Sequence, residues 1–285
     1  AVYVPTDFLL DSRRAKYIDP DVNIDRVGRE NGIRRLMCIN LLKRLESSVY
    51  SFRITLERVR KLIDDTIDTI DAYESGSRTI INTQEISEHD FDGDDRNTDF
   101  FENGGRRVDI NLADLDYVSW RKKLFEDSDI LKLLTMMVQD ITPKHDTKLN
   151  TLLNLIAEKV QNPFNEDNKK VLIFSAFADT VDYLYKHVAS FMIERFGLNV
   201  AMITGTTDGR TTVKLPYTDM NTILTLFSPL SKDKALLLPN NPAEIDILIA
   251  TDCISEGQNL QDCDYCVNYD IHWNPVRIIQ RFGRI

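Results

Sequence analysis

Four short apolar runs most constrain what this chain can fold into: "VLIF" at 171–174, "VAMI" at 200–203, "ILIA" at 247–250 and "YCVN" within 265–270. Each is too short for a helix. Nearly every position is apolar, so both faces of the strand it forms must be covered. Helical periodicity fills the intervals, over 147–160, 179–196 and a short stretch near 218–227. Strands alternating with helices predict an α/β unit, a parallel sheet with helices on both sides. Sheets of that kind carry their sites at the carboxyl ends of the strands. In chain order those ends hold Ser175, Thr204-Gly205, Thr251-Asp252 and Asp270. Any one of these is explained as an ordinary helix N-cap. A row of small hydroxyls and a glycine along one edge suits the phosphate oxygens of a nucleic-acid backbone.

Two further stretches narrow the chemistry. In "TDCISEGQNLQ", Gly257 sits where the chain must turn, and Gln258, Asn259 and Gln261 place amides among apolar neighbours. These amides bond either a ligand or the local backbone. In "VRIIQRFGRI", Val276, Ile279 and Phe282 are spaced as the buried stripe of a helix, leaving Arg277, Gln280, Arg281 and Arg284 on other faces. Two arginines three apart beside Gly283 offer guanidinium forks to phosphate. A nucleotide triphosphatase needs such charge as negative charge shifts at the γ-phosphate. A chain that starts at Ala1 and stops inside such a helix reads as a fragment cut at both ends.

The first 145 residues differ. From about Ile33 to Tyr73 the pattern is helical, and Leu42, Leu45, Val49, Phe52, Leu56, Val59 and Ile63 follow a 3,4 spacing. A second seam runs through Tyr117, Trp120, Leu124, Leu131, Leu134, Val138 and Ile141. The two predict a long helical hairpin, with Leu45, Val49, Phe52 and Leu56 against Trp120, Leu124, Leu131 and Leu134. Between the arms, about 75–112 is acidic, rich in Gly and Asn and without period, so it predicts a long mobile loop. Its role is read as a solvated excursion, or alternatively as an acidic flap competing with nucleic acid. The net charge of −10 argues at first against a nucleic-acid partner, but residues 64–116 hold sixteen acids against four arginines. The rest of the chain is close to neutral.

No apolar run approaches the roughly 20 residues that span a bilayer. No basic-then-apolar leader precedes the body, so the expected location is cytoplasmic, with no membrane partner. Four cysteines do not make a disulfide framework. Cys263 and Cys266 form a lone C-x-x-C, with His272 the one nearby candidate ligand, and read as core cysteines with no metal site.

In combination these motifs resemble a known family. "VLIFSAFADTVDYL", "ITG", "ILIATDCISEGQNLQ" and "VNYDIHWNPVRIIQRFGRI" are similar to the consecutive motifs of the second RecA-like lobe of superfamily 2 helicases. S-E-G-x-N-L-Q with W-N-P and Q-R-x-G-R most resembles the Swi/Snf-type ATPases, in the bacterial branch that includes the RNA-polymerase-associated ATPase. "LLKRLESSVYSF" resembles the helical region that such enzymes carry ahead of the lobe. The resemblance implies a helical region over 1–145 and a RecA-like lobe over 146–285, truncated at its end. It implies nucleic-acid-backbone contacts at Ser175, Thr204, Gly205 and Thr251. Gly257 and Asn259 match the motif linking nucleotide to nucleic acid. Gln280, Arg281 and Arg284 match the nucleotide-facing motif, Arg284 reaching the γ-phosphate.

None of the eleven glycines is followed by Lys, so the chain contains no phosphate loop. The resemblance implies one half of a nucleic-acid-dependent ATPase, a translocase on double-stranded DNA rather than a strand-separating helicase, with DNA favoured over RNA as the partner. ATP and Mg²⁺ would be bound only with a missing N-terminal lobe, and the fragment alone would be inactive. A non-catalytic RecA-like module that docks protein partners is the alternative. A nucleotide-sugar type of α/β enzyme finds no acid–base pair on a strand end.

Overall fold

The computed structural model describes residues 1–17, 26–76, 80–82, 109–205, 207–254, 257–271 and 275–284. Most of the acidic segment expected to be a mobile loop lies outside these residues, as do Ser255, Glu256, His272, Trp273 and Asn274. The chain divides into two compact units. Ala1–Leu45, Phe52–Phe91 and Asn97–Asp140 contribute to the first, and Glu46–Ser51 and Ile141–Ile285 to the second.

The first unit is mainly helical. Helix α1 spans Arg26–Ser47, α2 Val49–Glu74 and α3 Tyr117–Gln139. At the ends of the acidic segment, β1 (Ile80–Asn82) pairs antiparallel with β2 (Asp109–Asn111), Ile81 opposite Ile110. The single helix expected from Ile33 to Tyr73 is broken at Ser48, whose Oγ accepts the Ser51 N–H at 3.0 Å. A serine bonding the amide three residues on is the arrangement that starts a helix, and it ends the helix before it.

Helices α2 and α3 do run antiparallel. The Arg121 Nε–H donates to Asp71 at 2.6 Å, and the Ser128 hydroxyl donates to Asp64 at 3.0 Å. That register differs from the sequence expectation. Trp120 and Leu124 pack with Val59, Ile63, Ile67 and Ile70, not with Leu45 and Val49. Leu42 and Leu45 are 67% and 41% exposed, and Ile141 is 40% exposed. The apolar spacing continues across the break in the helix at Ser48, so periodicity alone placed the contact too early.

The second unit contains a five-stranded sheet in the order β5-β4-β6-β3-β7. Its strands are β3 (Val171–Phe174), β4 (Val200–Ile203), β5 (Arg210–Thr211), β6 (Ile247–Ala250) and β7 (Cys266–Asn268). β4, β6, β3 and β7 are parallel, and β5 closes one edge antiparallel. This is the expected α/β architecture, a mostly parallel sheet.

Period two sorts the side chains of the central strands. Val171, Ile173, Val200, Met202, Ile247 and Ile249 meet helices α4 (Thr147–Gln161) and α5 (Ala178–Phe196) on one face. Leu172, Phe174, Ala201, Ile203, Leu248 and Ala250 meet α6 (Met220–Phe227) on the other. Each of the Val, Leu, Ile, Met and Phe side chains among them, fully buried, contributes about 1.5–3 kcal/mol. β7 departs from the expectation of a buried strand: its residues are half-buried, because it pairs only with β3 and forms an edge.

Local signals fix the ends of the helices. The Asp146 carboxylate accepts the Leu149 N–H at 2.9 Å at the start of α4, and Asp219 accepts the Thr222 N–H at 3.0 Å at the start of α6. Gly197, at φ +65°, ends α5 in the left-handed region. A four-residue helix α7 (Lys234–Leu237) and the closing helix α8 (Pro275–Phe282) complete the unit. Among the described residues no helix is long and apolar enough to cross a membrane.

Candidate functional site

At the carboxyl edge of the sheet the backbone continues pairing just beyond the strands, which sets the strand ends in a row. The Thr251 N–H donates to Ile203 O at 3.2 Å, the Ser175 N–H to Ala250 O at 3.0 Å and the Tyr269 N–H to Phe174 O at 2.8 Å. Thr204, Thr251, Ser175 and Asp270 are thereby brought to one edge, as the sequence predicts. Their side chains are not offered outward. Ser175 and Thr251 are wholly buried and Thr204 is 5% exposed, and of the four candidate backbone-contact residues Gly205 is the exposed one.

Asp270, just beyond the outer strand β7, organises one end of the row. Its Oδ2 accepts the Ser175 hydroxyl at 2.5 Å, the Ser47 hydroxyl at 3.0 Å and the Ala176 N–H at 3.1 Å. Its Oδ1 accepts Lys148 Nζ at 3.1 Å, and that ammonium lies 4.1 Å from the centre of the Tyr269 ring. Ser47 and Thr180 share a hydroxyl–hydroxyl bond of 2.7 Å. Burial pushes the Tyr269 phenol up, so it stays neutral beside these charges. The Thr204 hydroxyl pairs with Thr207 at 2.7 Å, whereas the Thr251 hydroxyl has no partner among the described residues.

The arginines of the closing helix part company. Arg281 is fully buried. Its Nε and Nη2 donate to the two carboxylate oxygens of Asp252 at 2.6 and 2.8 Å, and Nη1 donates to Asn268 Oδ1 at 2.9 Å and to Asp270 O at 3.3 Å. The guanidinium also lies 5.1 Å from the centre of the Phe174 ring. The stripe expected to be buried is instead outside: Val276, Ile279 and Phe282 are 53, 70 and 54% exposed. A half-buried carboxylate that takes the bidentate fork of a fully buried arginine fixes the rotation of this helix, against the direction the apolar spacing suggests.

Arg284 is half-exposed and Gln280 likewise. The Arg284 Nη1 donates to Gln258 O at 3.4 Å, and the Arg284 carbonyl accepts the Leu260 N–H at 3.0 Å. The turn 257–260 and the end of α8 are thus stitched together, with Gly257 at φ +71° and both Gly257 and Asn259 exposed. Of the candidate site residues, Gly205, Gly257 and Asn259 are exposed and Gln280 and Arg284 partly so, whereas Ser175, Thr204, Thr251 and Arg281 are buried.

Sequence reasoning passed over Lys148, Ser47 and Thr180, whose polarity looks ordinary until the sheet edge assembles. It placed Asp252 and Asp270 at strand ends without giving them a role. Their signal was present, since a carboxylate closing a fully apolar strand must find donors. Cys263 is buried and donates to Tyr265 O at 3.4 Å. Burial pushes its thiol up to about 12 and that of Cys266 up to about 11. Among the described residues no group of three His, Cys, Asp or Glu side chains could hold a metal ion.

Comparison with known proteins bears on this unit. Residues 147–285 match the helicase conserved C-terminal domain. Over 42 residues the chain is 55% identical to an uncharacterized ATP-dependent helicase, YqhH, of Bacillus subtilis, covering 15% of this chain and 8% of that protein. Over 155 residues it is 26% identical to the putative ATP-dependent DNA helicase fml2 of Schizosaccharomyces pombe, covering 54% of this chain and 18% of that protein. The chain therefore spans well under a quarter of either relative. The Pyrococcus furiosus Hef helicase domain superposes with a TM-score of 0.40 at 16% identity, covering 96% of this chain and 40% of that one. The matched domain thus lies over the mostly parallel sheet and its closing helix, and residues 147–285 are similar to a helicase C-terminal domain.

Proposed function

We propose that this chain supplies the second half of a nucleic-acid-dependent ATPase of the Swi/Snf type, acting as a translocase on double-stranded DNA. The observation that carries the reading is the pairing of the turn 257–260 with Arg284 through the Leu260 N–H and the Arg284 carbonyl. A turn next to the strand-end edge and a cation suited to phosphate then move as one piece. Arg284 offers a fork that fits phosphate oxygens, and Gln280 a neighbouring amide. The sequence has no Gly-rich loop ending in Lys, so the rest of the nucleotide site, including the groups that hold Mg²⁺, belongs to a first lobe.

In that two-lobe enzyme ATP supplies the phosphoryl chemistry. This chain contributes charge at the γ-phosphate from Arg284. Exposed Gly205, Gly257 and Asn259 contact the backbone of the nucleic acid. Arg281 holds the helix in place rather than touching nucleotide. Ser175, Thr204 and Thr251 shape the edge from beneath. The name of the fission-yeast relative supports DNA over RNA.

The test is a paired measurement of DNA affinity and ATP turnover in the two-lobe protein. Arg284→Ala should leave affinity nearly unchanged and lower turnover by about 10³–10⁵. Lysine should rescue poorly, since a point charge does not reproduce the fork. The 285-residue chain alone should turn over no ATP, with or without DNA. Loss of DNA binding with turnover retained in Arg284→Ala would overturn the assignment. A second reading, a module that docks protein partners without catalysis, draws on the exposed apolar face of α8. It is favoured instead if Arg284→Ala leaves turnover unchanged while a charged residue at Ile279 alters partner binding.

A further inference from the structure

Between α6 and β6 the chain makes a long excursion, and one part of it is tied at two points to the stretch 257–262, whose turn bonds Arg284. The Asp262 carboxylate accepts the Leu230 N–H at 2.6 Å and the Ser231 N–H at 2.9 Å, and also takes the Ser231 hydroxyl. One residue on, the half-buried Lys232 donates from Nζ to Gln258 Oε1 at 2.6 Å. The backbone carbonyl of the same Gln258 takes the Arg284 guanidinium, and Leu260 returns a bond to the Arg284 carbonyl. Gln258 therefore has a cation at each end: Lys232 on its side chain and Arg284 on its main chain.

We infer that Lys232 is a positioning residue for Arg284, acting through Gln258. The turn begins at Gly257, at positive φ, and a residue without a Cβ has little intrinsic preference for one orientation. Hydrogen bonds to charged donors are about twice as strong as neutral ones. The Lys232 bond is the charged contact that fixes the Gln258 side chain, and Asp262 anchors the segment from which Lys232 reaches. With Gln258 fixed, its carbonyl is presented to Arg284 in one place and the guanidinium is held ready for a phosphate. Without Lys232 the turn samples other rotations, and the arginine loses its register while the sheet beneath stays intact. The inference concerns the same site and rests on the nucleotide reading of Arg284 for its kinetic consequence, but not for its structural one.

Two measurements keep these apart. Amide hydrogen exchange on the 285-residue chain compares the wild type with Lys232→Ala and Lys232→Arg. The Leu260 amide should exchange about ten-fold faster in Lys232→Ala, while amides of Val171–Phe174 are unchanged. Lys232→Arg, which keeps a charged donor, should restore most of the protection. Unchanged exchange at Leu260 overturns the inference whatever Arg284 does. In the two-lobe enzyme, Lys232→Ala should lower kcat about ten-fold with KM for ATP little altered. It should add no further loss to Arg284→Ala. Additive losses would show that Lys232 acts independently of Arg284 and would also reject the inference. If Arg284→Ala itself retained full turnover while Leu260 still lost protection, the nucleotide reading would fail and the positioning contact would stand.

Discussion

The closing helix is oriented by its arginine and not by its apolar stripe, and this can be tested by unfolding the 285-residue chain. Asp252→Ala removes both acceptors from a guanidinium that has no exposure to water. Nη1 keeps Asn268 Oδ1 and Asp270 O, so the charge is left half-bonded in a dry site. Breaking a buried ion pair by deleting one partner costs about 3–5 kcal/mol. Two charge-assisted bonds at about 1.5–3 kcal/mol each lead to the same range. Arg281→Lys should cost less, about 1–3 kcal/mol, because an ammonium satisfies one carboxylate oxygen but not the fork. Ile279→Ala, at a site 70% exposed, should stay within about 0.5 kcal/mol. The assay is urea unfolding at neutral pH with m-values compared across the set. A double-mutant cycle between positions 252 and 281 then isolates the pair. An Asp252→Ala cost under about 1 kcal/mol, or an Ile279→Ala cost above that of Asp252→Ala, would refute the claim that the ion pair sets the rotation of the helix.

Three other outcomes follow from the packing. Gly209→Ala would put a methyl 2.4 Å from Ile223 Cδ1 and 2.8 Å from Thr218 O, so thermal or urea unfolding should show a loss of about 1–3 kcal/mol. Leu56→Ala, at a fully buried position, should lose about 2–5 kcal/mol, whereas Leu42→Ala, on the same sequence seam but 67% exposed, should lose under about 0.5 kcal/mol. Alkylation at pH 8 followed by mass spectrometry should label exposed Cys38 first. Cys263 should react only as the lobe unfolds, because a thiol pushed up to about 12 is thiolate in only about one molecule in ten thousand at that pH.

The lobe was legible because its three central strands, β3, β4 and β6, are apolar at every position, a pattern that admits few alternatives at that length. Strand ends could therefore be read directly, and the row from Thr204 to Asp270 came out on one edge. Which way a side chain points at such an end was not legible. Ser175 and Thr251 look the same in sequence whether they meet solvent or a buried carboxylate, and only the arrival of Asp270 from 95 residues away decides the matter for Ser175. Helix α8 shows the same limit from the other side. Its spacing describes an apolar stripe accurately, but the energy of a single buried arginine outweighs three half-exposed apolar side chains. In the first unit the error is one of register. A seam of constant spacing specifies that two helices can pair without specifying where, and Ser48 cuts the first one within the seam.

The order of strands has a consequence for how the lobe is made. β6 lies between β4 and β3, and Val171 aligns with Ile247, 76 positions later, while Val200 aligns with the same residue from 47 positions away. During synthesis β3 and β4 emerge well before the strand that separates them. Until Ile247–Ala250 arrives, two wholly apolar strands lack the neighbour they share, β4 having only the two-residue strand β5 and β3 having none. Long-range parallel pairing of this kind folds slowly, and its half-made sheet is prone to capture by other chains. Release of the nascent chain before residue 250 should therefore yield aggregate rather than a smaller soluble domain, and the rate-limiting event in refolding should be insertion of β6 between partners already in place.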